Sequence, residues 1–278
     1  MPHPGVYRAP LPDLLVDKLK AQGFALRILC VNSQIFGASL QVATDGSNLA
    51  EVVKSYRLIA QDLSCDGRNV PHVTTPVGDF SAQTSVGLVP SADTRPLEQR
   101  ACLLSKMLYQ PFDAPTAFAM PFRAAPTLFL LYDYASIGTA RNVLVSPAMV
   151  RCRPTLLAAS ALQQAFANFR MLTNRRFPDG KFRPERVWAV LSPGASLGIS
   201  REVCQKLPKV KGKAQFLTET RHERPFTLDV CGYVQRLLVG LGVFQDHIVT
   251  LNQLGGDSDV WQPGKAGNLM AGVLYRTR

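Results

Sequence analysis

Apolar residues in the first part of the chain recur at helical spacing. Over residues 11–22, Leu11, Leu14, Leu15 and Leu19 share one side of a 3.6-residue repeat, and Gly23 can end the helix they predict. Residues 24–31 read as a strand. Residues 47–62 predict a second helix through Leu49, Val52, Val53 and Leu58. Residues 64–94, broken by Pro71, Pro76 and Pro90, read as loops with one short strand at 85–89. From Thr116 the pattern sharpens. Strands are predicted at 127–132, 142–145, 187–191, 247–251 and 269–275. A helix is predicted at 154–172, with Pro154 in its first turn and an apolar stripe of Leu156, Leu157, Ala161, Phe166 and Phe169. Another is predicted at 227–241, ended by Gly242. Strands and helices mix without a strict alternation, so the expectation is a mixed-sheet α/β sandwich, not a doubly wound sheet, in one domain spanning residues 1–278.

Composition narrows the class. With 46% hydrophobic and 18% charged residues the chain can bury a sizeable core. No apolar run approaches the ~20 residues that span a bilayer. The proline-rich start has no secretory pattern, so an intracellular protein is expected, in the mitochondrial matrix or the cytoplasm. The six cysteines form no Cys-x-x-Cys pair and His is scarce, which predicts reduced thiols and no metal or other cofactor. Gly-x-Ser-x-Gly, Gly-x-Gly-x-x-Gly and a phosphate-binding P-loop are absent.

The C-terminal third carries more specific signals. The stretch Pro184-Glu185-Arg186-Val187-Trp188-Ala189-Val190-Leu191-Ser192-Pro193 is followed by Arg201-Glu202-Val203, by Leu228-Asp229-Val230 and by Leu238-Val239-Gly240-Leu241-Gly242-Val243. The series closes on Gly264-Lys265-Ala266-Gly267-Asn268-Leu269-Met270-Ala271. In order and spacing this resembles the laccase-domain family, which includes the peptidoglycan editing factor and purine nucleoside phosphorylases once called polyphenol oxidases. The resemblance implies an α/β sandwich of the laccase-domain, cysteine-hydrolase-like type, with residues 1–47 as a divergent N-terminal part.

The family's active site resembles a cluster of two His and one Cys. Carried onto this sequence, Ser85 stands for the first His, Ala124 for the Cys and Ser146 for the second His. Alanine has no lone pair to offer, and a serine hydroxyl is a poor ligand and a poor base near neutral pH. The resemblance therefore implies no catalytic residues and an inactive homologue, with Met149 and Phe122 helping to fill the vacated pocket. Two rival readings remain open: an active purine nucleoside phosphorylase or deaminase-like enzyme with a rearranged site, and a purine-binding module. Elsewhere His72 reads as a loop residue, His247 as a structural hydrogen-bonding group, Cys231 as a core thiol, and 192–196 as a turn from the family's substrate pocket.

Charge supplies the remaining signal. Residues 151–224 hold fifteen Lys or Arg against five Asp or Glu, or +10 of the chain's +11. Arg170, Arg175, Arg176, Lys181, Arg183 and Arg186 interleave with Phe169, Phe177 and Phe182, a combination that suits single-stranded or structured RNA. Lys206, Lys209, Lys211 and Lys213 follow in what reads as a loop marked by Pro208 and Gly212. These ten residues are the expected contact with a partner. That partner is either the protein subunits of a larger assembly or an anionic surface such as RNA.

Overall fold

The computed structural model describes residues 3–21, 23–37, 40, 47–63, 72–75, 78–80, 116–122, 125–133, 148–176, 181–220, 225–251 and 268–276. The fold is mixed α/β with three sheets, one antiparallel and two mixed. The chain divides into two compact units. The first comprises Met1–Thr94, Gln110–Arg123 and Gln253–Arg278, and the second Arg95–Tyr109 and Ala124–Asn252.

The first unit is a six-stranded sheet in the order β1 (Val6–Arg8), β2 (Phe24–Asn32), β13 (Asn268–Arg276), β5 (Thr116–Phe122), β3 (His72–Thr75) and β4 (Gly78–Phe80). Only the β3–β5 pairing is parallel. The apolar run of β2 buries Ile28, Leu29, Cys30 and Val31, and the last strand of the chain pairs along its whole length. Helix α1 (Asp13–Ala21) buries Leu15 and Leu19, one turn apart, and carries Asp13 in its first turn and Lys18 and Lys20 in its last, matching the helix dipole. Gly23, at φ +78°, makes the left-handed turn into β2. A single turn, α2 (Ser33–Phe36), follows β2 and ends at Gly37. Helix α3 (Leu49–Leu63) buries Val52, Ile59, Ala60 and Leu63. The expected loops over 64–94 need correction, because β3 and β4 lie within them. Pro71 and Pro76 bracket a β-branched segment, Val73-Thr74-Thr75, so they mark strand ends. His72 accordingly sits on a strand, opposite Thr116. The strands expected at 85–89 and 142–145 lie outside the described residues.

The second unit is built on the four-stranded sheet β12 (Ile248–Thr250), β8 (Val187–Leu191), β6 (Thr127–Tyr132) and β7 (Ala148–Arg151). Every residue of β6 and β8 is buried, which is why β8, and β6 after Thr127, read as continuous runs of apolar and aromatic residues and not as alternating ones. A three-stranded antiparallel sheet, β10 (Leu217–Glu219), β11 (Phe226–Asp229) and β9 (Ser196–Ile199), completes the set.

Two helix predictions change. The helix expected at 154–172 is α4 (Pro154–Ala158) followed by α5 (Ala161–Arg176), parted at Ser160, which takes φ +58°. The helix expected at 227–241 begins as β11, and only at Asp229 does α7 (Val230–Gly240) start, with the Asp229 carboxylate accepting from Gly232 N at 3.1 Å. Asp is a strong N-cap, and that local signal overrides the apolar spacing that runs on upstream. Between them lies the short helix α6 (Arg201–Lys206), capped by Ser200. No helix among the described residues is long and apolar enough to cross a membrane.

Candidate functional site

Ser85, Ala124 and Ser146 lie outside the described residues, as do the side chains of Met149 and Phe122. The structure does describe the ground immediately after Ala124, where β6, β7, β8 and α7 meet within the second unit. Thr127 N donates to Ser192 Oγ at 2.8 Å, and Ser192 N donates back to Thr127 O at 2.8 Å. Ser192 Oγ spends its own proton on Pro193 O at 3.2 Å, so the hydroxyl both accepts and donates within the backbone. Cys152 N donates to Pro126 O at 2.9 Å. At Gly194 an added Cβ would lie 2.8 Å from Pro126 Cδ and 3.1 Å from Cys231 Sγ, so only glycine fits. The expected turn at 192–196 is therefore anchored at Ser192, whose hydroxyl and amide are paired, while the buried Thr127 hydroxyl beside it has no partner among the described residues and Ser196 is exposed.

Two thiols complete this neighbourhood. Cys231, in the first turn of α7, is buried with its sulfur 4.0 Å from the carbonyl oxygens of Ser192 and Gly194. Its pKa is pushed up to about 12, first by burial and then by the Asp229 carboxylate, against a smaller lowering by Gly194. Burial pushes Cys152 up as well, helped by Cys231. Burial thus favours the protonated form of both thiols at neutral pH, and a protonated thiol is a poor nucleophile. Among the described residues no group of three or more His, Cys, Asp or Glu could hold a metal. His247 lies flat on Trp188, ring centroids 4.1 Å apart and 16° between planes, as a packing residue of the same unit.

The basic residues fall into groups with different duties. Arg170 is exposed on α5; Arg175 and Arg176 end that helix. Lys181 and Arg183 are exposed, and Arg186 is half-buried in a 3-10 turn, Pro184–Arg186. The aromatic residues between them face the other way. Phe169 and Phe182 are buried, and Phe182 stacks on Tyr132 at 5.0 Å while Phe166 and Phe169 meet it edge-on at 5.7 and 6.1 Å. They form a core cluster, so these two rings present no face on which a base could stack; Phe177 lies outside the described residues.

The lysines expected in one loop are also distinct. Lys206 is the last residue of α6 and pairs with Glu202 at 2.7 Å. Lys213 opens a 3-10 turn, Lys213–Phe216, and its Nζ donates to Cys204 O at 2.8 Å and Leu207 O at 3.0 Å, satisfying carbonyls at the end of α6. Only Lys209 and Lys211 are exposed within a loop. That loop is tied to α7, through Tyr233 Oη to Pro208 O at 2.6 Å and Arg236 Nε to Lys211 O at 3.2 Å. Lys213→Met is therefore expected to lower stability by about 1–2 kcal/mol, through carbonyls left without their charged donor. Lys209→Gln with Lys211→Gln should change it by less than about 0.5 kcal/mol. Urea denaturation of the two variants checks the difference.

Sequence reading missed two exposed apolar residues of the second unit. Phe244 is 56% exposed and meets His247 edge-on at 5.5 Å. Met171 is 37% exposed on α5. Met171 was legible, since it stands off the buried stripe Ala161, Leu162, Ala165, Phe166 and Phe169 by half a helical turn.

No family model and no curated protein matches the sequence. Solved structures do. A Neisseria meningitidis protein of the family DUF152 superposes with a TM-score of 0.56 at 14% identity, covering 99% of this chain and 100% of that one. The Bacillus licheniformis hypothetical protein YfiH superposes at 0.54 with 12% identity, covering 89% and 92%. At that sequence distance the likeness is one of fold, and the chain has the fold of the laccase-like DUF152 proteins.

Proposed function

We propose that this chain is a catalytically silent member of the laccase-like fold, serving as a structural or accessory subunit of a larger assembly, organellar or ribonucleoprotein in setting. The reading rests on the resemblance, which places Ser85, Ala124 and Ser146 where the family has His, Cys and His. The described residues that follow Ala124 in sequence, and their partners, support it. Ser192 has both hydrogen-bonding roles taken up by backbone, and burial disfavours the thiolates of Cys152 and Cys231, so none of these three groups offers a replacement base or nucleophile. A fold can outlast its chemistry, because the core of β6 and β8 makes no use of the lost side chains. The concentration of +10 of the +11 net charge in residues 151–224 favours a partner-binding role.

Purified protein incubated with adenosine or inosine and phosphate is expected to release no free base above a no-protein control, and to carry no stoichiometric zinc or copper by elemental analysis. Turnover that disappears on replacing Ser85 or Ser146 would establish the rival, an enzyme with a rearranged site.

A further inference from the structure

The outward face of α5 is unlike the rest of the basic surface. Ala167, Arg170, Met171 and Asn174 recur at i, i+3, i+4 and i+7, so they share one face of the helix, opposite the buried Phe166 and Phe169. Among the described residues these four line an open depression of about 410 Å³. Asn174 ties this face to the next segment, accepting from Phe182 N at 3.0 Å. Phe182 turns inward to Tyr132, and its neighbours Lys181 and Arg183 are exposed. Alternation along an extended segment sends those two side chains to the side opposite Phe182. No ion pair or side-chain hydrogen bond among the described residues engages Arg170, Lys181 or Arg183.

We propose that this face docks an acidic, apolar-anchored segment of a partner protein, with an aliphatic side chain entering the depression against Ala167 and Met171 and carboxylates meeting Arg170, Lys181 and Arg183. The proposal rests on the accessory-subunit reading and specifies its partner. Unpaired cations call for an anionic partner. The apolar depression beside them selects among anions. A phosphate backbone has no aliphatic group to place there, and single strands need an aromatic platform, whereas among the described residues the nearby rings Tyr132, Phe166, Phe169 and Phe182 are buried against one another. Met and Arg are enriched at protein interfaces, and the unbranched thioether of Met171 adapts to the shape of an incoming side chain.

The test is fluorescence anisotropy with the full chain at about 0.15 M salt, where long-range attraction between exposed charges is largely screened. Three labelled probes are compared: a helical peptide with Glu on one face and Leu at i, i+3 and i+4, the same peptide with Ser for Leu, and an oligo(U) strand. The Leu peptide is expected to bind at least about tenfold more tightly than either control, a difference of about 1.4 kcal/mol. Met171→Gln and the triple change Arg170→Gln, Lys181→Gln, Arg183→Gln should each weaken it about tenfold, while Lys209→Gln with Lys211→Gln should leave it unchanged. Ala167→Glu, which fills the depression with a like charge, gives a second reading if Met171→Gln disturbs the fold. The proposal is overturned by oligo(U) binding as tightly as the Leu peptide, by equal binding of the two peptides, by no binding of any probe, or by unchanged binding in the Met171 and Ala167 variants. Nucleoside turnover is measured separately, so failure of the docking site and failure of the silent-enzyme reading are told apart.

Discussion

Phe182→Ala is expected to lower the stability of the second unit by about 3–5 kcal/mol, the range for truncating a buried phenylalanine. Phe182 is the common partner of Tyr132, Phe166 and Phe169, so its removal leaves three rings with a void at their centre. The backbone bonds on either side bind it further into the core, from Phe182 N to Asn174 Oδ1 and from Arg183 N to Tyr132 Oη at 2.9 Å. Phe182→Leu should recover part of the loss, because much of the volume returns. Chemical denaturation of both variants measures this. A Phe182→Ala protein as stable as the parent would mean that the ring is not core, and would reopen an RNA-stacking role for it.

The second large effect appears at alkaline pH. Cys30, Cys152 and Cys231 are buried, and burial raises all three thiols well above the usual range, Cys231 to about 12. In the unfolded chain these thiols ionise near pH 8.5. Below that pH both states hold the proton and the thiols do not affect stability. Above it the unfolded state releases protons that the folded state retains, so stability falls as pH rises towards the folded values. Each thiol contributes a loss of about 1.4 kcal/mol per pH unit, or roughly 4 kcal/mol per unit for three. Stability measured at pH 8, 9 and 10 should fall steeply, and Cys152→Ala with Cys231→Ala should make the fall shallower. An unchanged slope in that variant would show that the two thiols ionise freely in the folded protein.

Much of this fold could be read from local pattern. β6 and β8 are fully buried, so β8, and β6 after Thr127, had to be continuous runs of apolar and aromatic residues, and they stood out as such. α1 and α3 announced themselves by spacing, and Gly23 by the turn it makes. Where local signals compete, the pattern misled. The apolar stripe of α4 and α5 continues across Ser160, and nothing in periodicity reports a single left-handed residue. β11 was absorbed into the following helix, although Asp229 gave a capping signal. β5 and β9 escaped prediction because their pairing partners lie far along the chain: β5 pairs with β13 and β9 with β11.

The site was legible by loss more than by presence. Ser85, Ala124 and Ser146 could be named from the resemblance, but the pairing of Thr127 with Ser192 joins residues distant in sequence, which no local pattern carries. Lys213 looked like its neighbours Lys209 and Lys211, since only three-dimensional proximity to the carbonyls of Cys204 and Leu207 distinguishes its duty. The buried orientation of Phe182 was likewise invisible beside Lys181 and Arg183.

The tethers on the loop carrying Lys209 and Lys211 have a thermodynamic consequence. Tyr233, Arg236 and Lys213 fix its backbone from both ends before any partner arrives. A surface loop that must be ordered on association forfeits part of the interaction energy to chain entropy. Here that loss is already taken during folding, and what remains to be frozen is the rotamers of two lysine side chains, each costing about 0.5–1.5 kcal/mol when immobilised. The two charges are thus displayed on a scaffold whose conformational freedom was surrendered in advance.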